Sequence, residues 1–340
     1  MKTINELERD LKQGNLNCIY LLYGEELYLL ENCIKKIKNL FGETINGINQ
    51  IIIEENNIQE LNSHLITPAF GYEKKLIIIK NTGLLKKEGK KKNIQLSKIK
   101  ENFNTFLIKN AKLVEETLVI IIVEDEVEKK ELFNTIDKIG VTCNFDFLKP
   151  IEIEKRIKAI CNAYHVEIEK QTLQYFIECC GTNMQELINE IRKLIEYAGE
   201  NGKIENQDID KLCTKKIESV IFDLTDNLAK KNITKALEVL KNLIYEKEPL
   251  QKILVTLYNH FKKLYIVKIA IKENKDIIDS LELKPNQMFL VKKYKMQVAY
   301  FKEEELRRIL RELYDLDYKY KIGEIDLQIG IETILCAYCG

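Results

Sequence analysis

The segment Gly24-Glu25-Glu26-Leu27-Tyr28 follows an apolar run at residues 18–23 (CIYLLY), where a strand-to-helix turn would cradle a phosphate. That chemistry needs the pattern GxxxxGK[ST]: successive backbone N–H groups surround the phosphates and a lysine reaches them. The second glycine, the lysine and the Ser/Thr are all missing here, and two carboxylates would repel a triphosphate. Gly24 therefore reads as a turn residue, and no nucleotide or other cofactor is expected. A second apolar run, residues 117–123 (TLVIIIV), leads into Glu124-Asp125-Glu126, a superficial match to an acidic pair that holds magnesium at a strand end. Without a phosphate cradle, the expectation is a solvated strand-to-helix turn.

Metal and nucleophile chemistry has less support. Cys336 and Cys339 form a CxxC, but a zinc site needs further ligands and the chain has only 3 His. Adjacent Cys179 and Cys180 cannot supply those ligands from sequence alone, and as i, i+3 residues at the end of an expected helix Cys336 and Cys339 read as ordinary apolar positions. No Ser/His/Asp or Cys/His arrangement is identifiable, so no catalytic or metal residue is expected. Two stretches read as surfaces instead. Residues 86–92 (KKEGKKK) form a basic loop that either touches phosphates or is simply solvated. Residues 67–72 (TPAFGY) place two aromatics in a Pro/Gly-punctuated turn. Aromatics displayed this way anchor partners, and the alternative is that they fold back onto the sheet.

The elements that must carry these residues follow from apolar periodicity. Runs at 18–23, 50–53, 75–80 and 117–123 are continuously apolar, as strands covered on both faces should be, and 141–147 supplies one more. Between the first two lie Leu30, Cys33, Ile34, Ile37 and Phe41 at helical spacing, and similar stretches fall at 58–65 and 94–108. This alternation predicts a parallel α/β sheet. After Pro150 only helices are expected, with stops at Gly181 and Gly199. A longer helix follows Pro249, with an apolar stripe from Leu250 through Ile253, Leu254, Leu257, Phe261 and Leu264 to an edge at Lys268. Three domains are expected: α/β at 1–147, small helical at 148–214 and larger helical at 215–340.

The 340 residues carry 53 basic and 53 acidic side chains, so the chain lacks the overall field of a protein that wraps nucleic acid. The 9 cysteines are odd in number, and the opening MKTINELERDLKQGN has no apolar run before a cleavage site. A reducing cytoplasm is expected, with no membrane span.

Several segments, in order along nearly the whole chain, resemble the delta subunit family of the bacterial DNA polymerase III clamp loader. The run Ile19-Tyr20-Leu21-Leu22-Tyr23-Gly24-Glu25-Glu26 is similar to the family's opening strand and degenerate turn. Pro68-Ala69-Phe70, followed by Lys74-Lys75-Leu76-Ile77-Ile78-Ile79, resembles its clamp-contacting element. The most specific stretch runs from Gly181-Thr182-Asn183-Met184 through Arg192-Lys193-Leu194 to Tyr197-Ala198-Gly199. Residues 219–224 (SVIFDL), Ala236-Leu237 and 317–323 (DYKYKIG) resemble the helical C-terminal part.

The resemblance implies an AAA+-like body with a degenerate nucleotide site, completed by a small helical lid, and a C-terminal collar. It implies a subunit that binds the sliding clamp (beta) and helps open it for loading onto primed DNA during replication. Motor and delta-prime type subunits would be partners through the collar, with primed DNA inside the complex. The clamp-binding residues would be Pro68, Ala69 and Phe70. Ala69 stands where a larger apolar residue is common, so Phe70, with Pro68, must carry more of the contact. The chain would have no catalytic site of its own while belonging to a DNA-directed DNA polymerase, a nucleotidyltransferase. The rival readings are an active AAA+ or P-loop ATPase, and a stand-alone DNA-binding protein.

Overall fold

The structure, a computed structural model, describes residues 1–87 and 94–339. The chain divides into two compact units, residues 1–147 and 148–340.

The first unit is built on five parallel strands: β1 (Ile19–Tyr23), β2 (Gln50–Ile53), β3 (Lys75–Lys80), β4 (Leu118–Glu124) and β5 (Val141–Asn144), in the order β2-β3-β4-β1-β5. The central strand β4 and its neighbour β1 are buried at every residue. A two-residue side-chain period sends alternate residues to opposite faces, so a strand covered on both sides is apolar nearly throughout, with Glu124 at the end of β4 the exception. One face gathers Ile19, Leu21, Ile77, Ile79, Ile120 and Ile122 with Phe103, Leu107, Phe133 and Ile136. The alternating Tyr20, Leu22, Ile78 and Ile121 are equally buried. Each such side chain contributes roughly 1.5–3 kcal/mol on leaving water. The expected helical segments form as Leu27–Phe41, Leu61–Ile66 (after one turn of 3-10 helix) and Ile94–Lys109. An opening helix not anticipated from periodicity, Ile4–Lys12, starts at a reciprocal cap between Thr3 and Glu6.

The second unit is almost entirely helical. Pro150–Ala163, Lys170–Cys180, Met184–Ala198 and Asn206–Leu212 surround a two-residue parallel pair, Glu167–Ile168 with Lys203–Ile204. Gly181 and Gly199 stand at the helix stops read from the sequence. Residues 217–338 share a separate apolar core. Its spine is Leu250–Lys272, where Ala270 continues the buried stripe beyond the edge expected at Lys268. Lys268 itself is half-buried and reaches the Val298 carbonyl at 3.5 Å.

One buried face of that helix is polar. His260 Nε2 lies 2.9 Å from Thr225 Oγ1 and 2.7 Å from Gln297 Oε1, while Gln297 Nε2 donates to Thr225 Oγ1 at 2.9 Å. Burial lowers the imidazole pKa to about 4, which keeps the ring neutral and the network paired. Among the described residues, no helix is long and apolar enough to cross a membrane.

Candidate functional site

The most exposed large apolar side chain in the first unit is Phe70, at 92%. It lies in the connection between the Leu61–Ile66 helix and β3, and the local chemistry explains why it is held outward. Pro68 removes a backbone donor and disfavours helix in the residue before it. The chain then closes a turn through Tyr72 N–H donating to the Ala69 carbonyl at 3.3 Å. Phe70 and Gly71 are its two central residues, and Gly71 sits at φ 78°, a conformation that favours glycine at the second central position.

Below the turn, Lys75 is buried at the first position of β3, and its Nζ donates to the carbonyls of His64, at 3.0 Å, and Thr67. A lysine there satisfies carbonyls that the end of the helix leaves unpaired. Burial lowers its pKa. Pro68 is exposed, Ala69 is half-buried and Ile66 is 71% exposed, so the displayed apolar surface is Ile66, Pro68 and Phe70. Ile66 and the bracing role of Lys75 were missed in the sequence. A cation directly after a helix and a Pro-containing turn is the signal that would have found the latter.

The turn at Gly24 is built the opposite way. Glu26 N–H, at the start of the Leu27–Phe41 helix, donates to the Phe145 carbonyl at 2.7 Å, and Phe145 N–H donates to the Tyr23 carbonyl at 2.6 Å. A Cβ on Gly24, which has φ 125°, would lie 2.5 Å from both the carbonyl carbon and oxygen of Phe145. The Gly24 backbone is therefore packed against the chain following β5, and the Glu26 amide at the helix start is already bonded.

The acidic turn after β4 differs from the expectation. Asp125 and Glu126 are solvated, but Glu124 is only 1% exposed. The reason is that β4 runs on through Glu124 beside Tyr23, and Thr82 Oγ1 donates to Glu124 Oε1 at 3.1 Å while Leu84 and Leu85 bury next to it in sequence. Desolvation raises the pKa of this carboxyl.

Of the basic loop at 86–92, Lys86 pairs with Asp125 at 3.4 Å and Lys87 is exposed; residues 88–92 lie outside the described residues. Cys336 is an exposed free thiol, and the side chain of Cys339 lies outside the described residues.

A family model described as "DNA polymerase III, delta subunit" matches residues 20–145, and "DNA polymerase III delta subunit, C-terminal domain" matches 218–338. The chain is 25% identical over 335 residues to the DNA polymerase III subunit delta of Bacillus subtilis, covering 96% of this chain and 94% of that one. It is 29% identical over 310 residues to the probable DNA polymerase III subunit delta of Aquifex aeolicus, with 88% and 85% coverage. The solved Bacillus subtilis DNA clamp loader delta protein shares the fold at a TM-score of 0.74, covering 99% of each chain at 22% identity.

Proposed function

Because the chain belongs to the family of DNA polymerase III delta subunits, we propose that it holds the ring-shaped sliding clamp and helps open it for placement on primed DNA. The observation that carries this reading is Phe70, almost fully exposed on a turn braced from beneath by Lys75. An apolar knob on a pre-organised turn suits insertion into a pocket on a partner, because little side-chain or loop freedom remains to be lost on binding. Pro68 and Ile66 flank it, and Ala69 serves mainly through the carbonyl that closes the turn.

The mechanism is binding without chemistry of its own. A closed clamp interface under strain is shifted toward its open form by a partner that prefers that form. ATP hydrolysis falls to neighbouring motor subunits, which fits the packed Gly24 turn. The second unit works as two parts, a small helical lid at 148–214 and a collar at 215–340 that joins motor and delta-prime type subunits. The separate core of residues 217–338 supports that division. The complex acts in the cytoplasm with primed DNA inside it.

The test is co-elution of the full chain with the sliding clamp encoded in the same genome. Wild type should travel with the clamp and Phe70→Ala should not; equal co-elution of both would remove Phe70 as the anchor. Deleting residues 215–340 should abolish entry into the loader while the clamp still binds, and a truncated chain that assembles normally would refute the collar.

A further inference from the structure

The second unit brings together three side chains that lie far apart in sequence. Cys180 ends the Lys170–Cys180 helix, Glu190 sits mid-way along Met184–Ala198, and Cys213 caps the end of Asn206–Leu212. Their sulfur and carboxylate ligand atoms all lie within 4.8 Å of one another, the only such group of three among the described residues. Both cysteines are free thiols; Cys180 is buried, while Glu190 and Cys213 are partly exposed. From this placement we propose a binding site for a thiophilic divalent cation of the zinc class, held by Cys180 Sγ, Cys213 Sγ and a Glu190 carboxylate oxygen.

The geometry and charge fit such an ion. Zinc takes thiolate sulfur at about 2.3 Å and carboxylate oxygen at about 2.0–2.2 Å in a tetrahedron, which places two ligating sulfurs ~3.8 Å apart. The three side chains therefore need to close by no more than about 1 Å.

The carboxylate is already oriented. Glu190 Oε2 accepts the Thr214 N–H at 2.9 Å and pairs with Lys193 Nζ at 2.7 Å, and Lys193 also donates to the Leu212 carbonyl at 3.1 Å. Outer partners of this kind fix a ligating carboxylate while its second oxygen serves the metal. Two thiolates and one carboxylate against a divalent cation leave a single negative charge, which Lys193 neutralises. A fourth position would be left for water.

The neighbouring Cys213 thiol, more than burial, raises the Cys180 pKa. Metal takes cysteine as thiolate, so binding releases protons to solvent and affinity falls as pH falls. The ion would tie the ends of two helices to the middle of a third.

The test uses the full-length chain, reduced and stripped with chelator, then dialysed against Zn2+ and assayed for metal content. Co2+ serves as the optical probe, through its thiolate charge-transfer absorption. Wild type and Cys336→Ser should each bind one equivalent, show the Co2+ band and melt at higher temperature with metal. Cys213→Ser should lose the band and the metal, and Glu190→Gln should weaken binding at least about tenfold. Circular dichroism without metal checks that the variants fold, and if Cys213→Ser does not, Glu190→Gln decides. The site is wrong if wild type binds no more Zn2+ than a Cys180→Ser/Cys213→Ser chain, if Cys336→Ser removes the ion, or if Glu190→Gln binds like wild type.

Discussion

The turn after β1 directs its backbone inward: Glu26 donates to Phe145, Gly24 lies against the Phe145 peptide, and Glu26 is 5% exposed. The turn before β3 bonds to itself, to Ser63 in the preceding helix and to Lys75, leaving Phe70 in solvent. Both connect helix and strand in one sheet, and both use a positive-φ glycine. They differ in what surrounds that glycine. A Cβ on Gly71 would meet nothing within 4 Å, whereas a Cβ on Gly24 would overlap a peptide group. One glycine allows close packing, and the other allows display.

Substitutions at the two turns should separate accordingly. The largest effect is expected from Gly24→Ala, which combines overpacking with a strained φ and should cost ~3–5 kcal/mol of stability by denaturant titration. A mild shift would mean that the Gly24 turn is looser than its contacts imply.

Phe70→Ala should do the reverse, weakening clamp binding by about 2 kcal/mol or more, a roughly 30-fold loss by calorimetry, with stability within about 0.5 kcal/mol of wild type. A large melting shift would place Phe70 in a core and erase the contrast.

Lys75→Met should fall between them. It leaves the His64 and Thr67 carbonyls without their donor, costing ~1 kcal/mol of stability and about fivefold in clamp affinity as the turn loosens. Unchanged affinity would show that the turn needs no brace.

Glu124→Gln should have the smallest effect. The folded-state pKa of Glu124 is raised, so its contribution to stability is fully present at low pH and is lost as pH rises through that pKa. The glutamine variant lacks this loss, so it should exceed wild type by ~1 kcal/mol or less at neutral pH, with the advantage fading in acid. An advantage that grew toward low pH would contradict a desolvated carboxyl.

The sheet was legible because a strand covered on both faces leaves no room for polar residues: β1 and β4 lie within their apolar runs apart from Glu124 at the end of β4. Glu124 was read as solvated because its cover comes from residues 82–85, more than thirty positions away, and a single sequence carries no trace of that packing. His260 and Gln297 were invisible for the same reason, since each is an ordinary helical polar residue until its partner is placed. The Ile4–Lys12 helix was missed despite a local signal, Thr3 three residues before Glu6. The 67–72 turn was legible as an exposed candidate through Pro68 and Gly71, but the side chain that steadies it lies in the next strand. Likewise, Cys180, Glu190 and Cys213 meet only when three helices pack.

The hydrogen bond from Glu26 to Phe145 also bears on timing. A turn that opened to receive nucleotide would let ATP bias the shape of the body carrying Phe70. With that amide bonded internally, ATP is expected not to shift this unit between two forms. The grip of the 67–72 turn should then be constitutive, equal in energy-rich and energy-depleted cells. If Phe70 is the clamp anchor, control of that contact should act on access to it and not on its affinity.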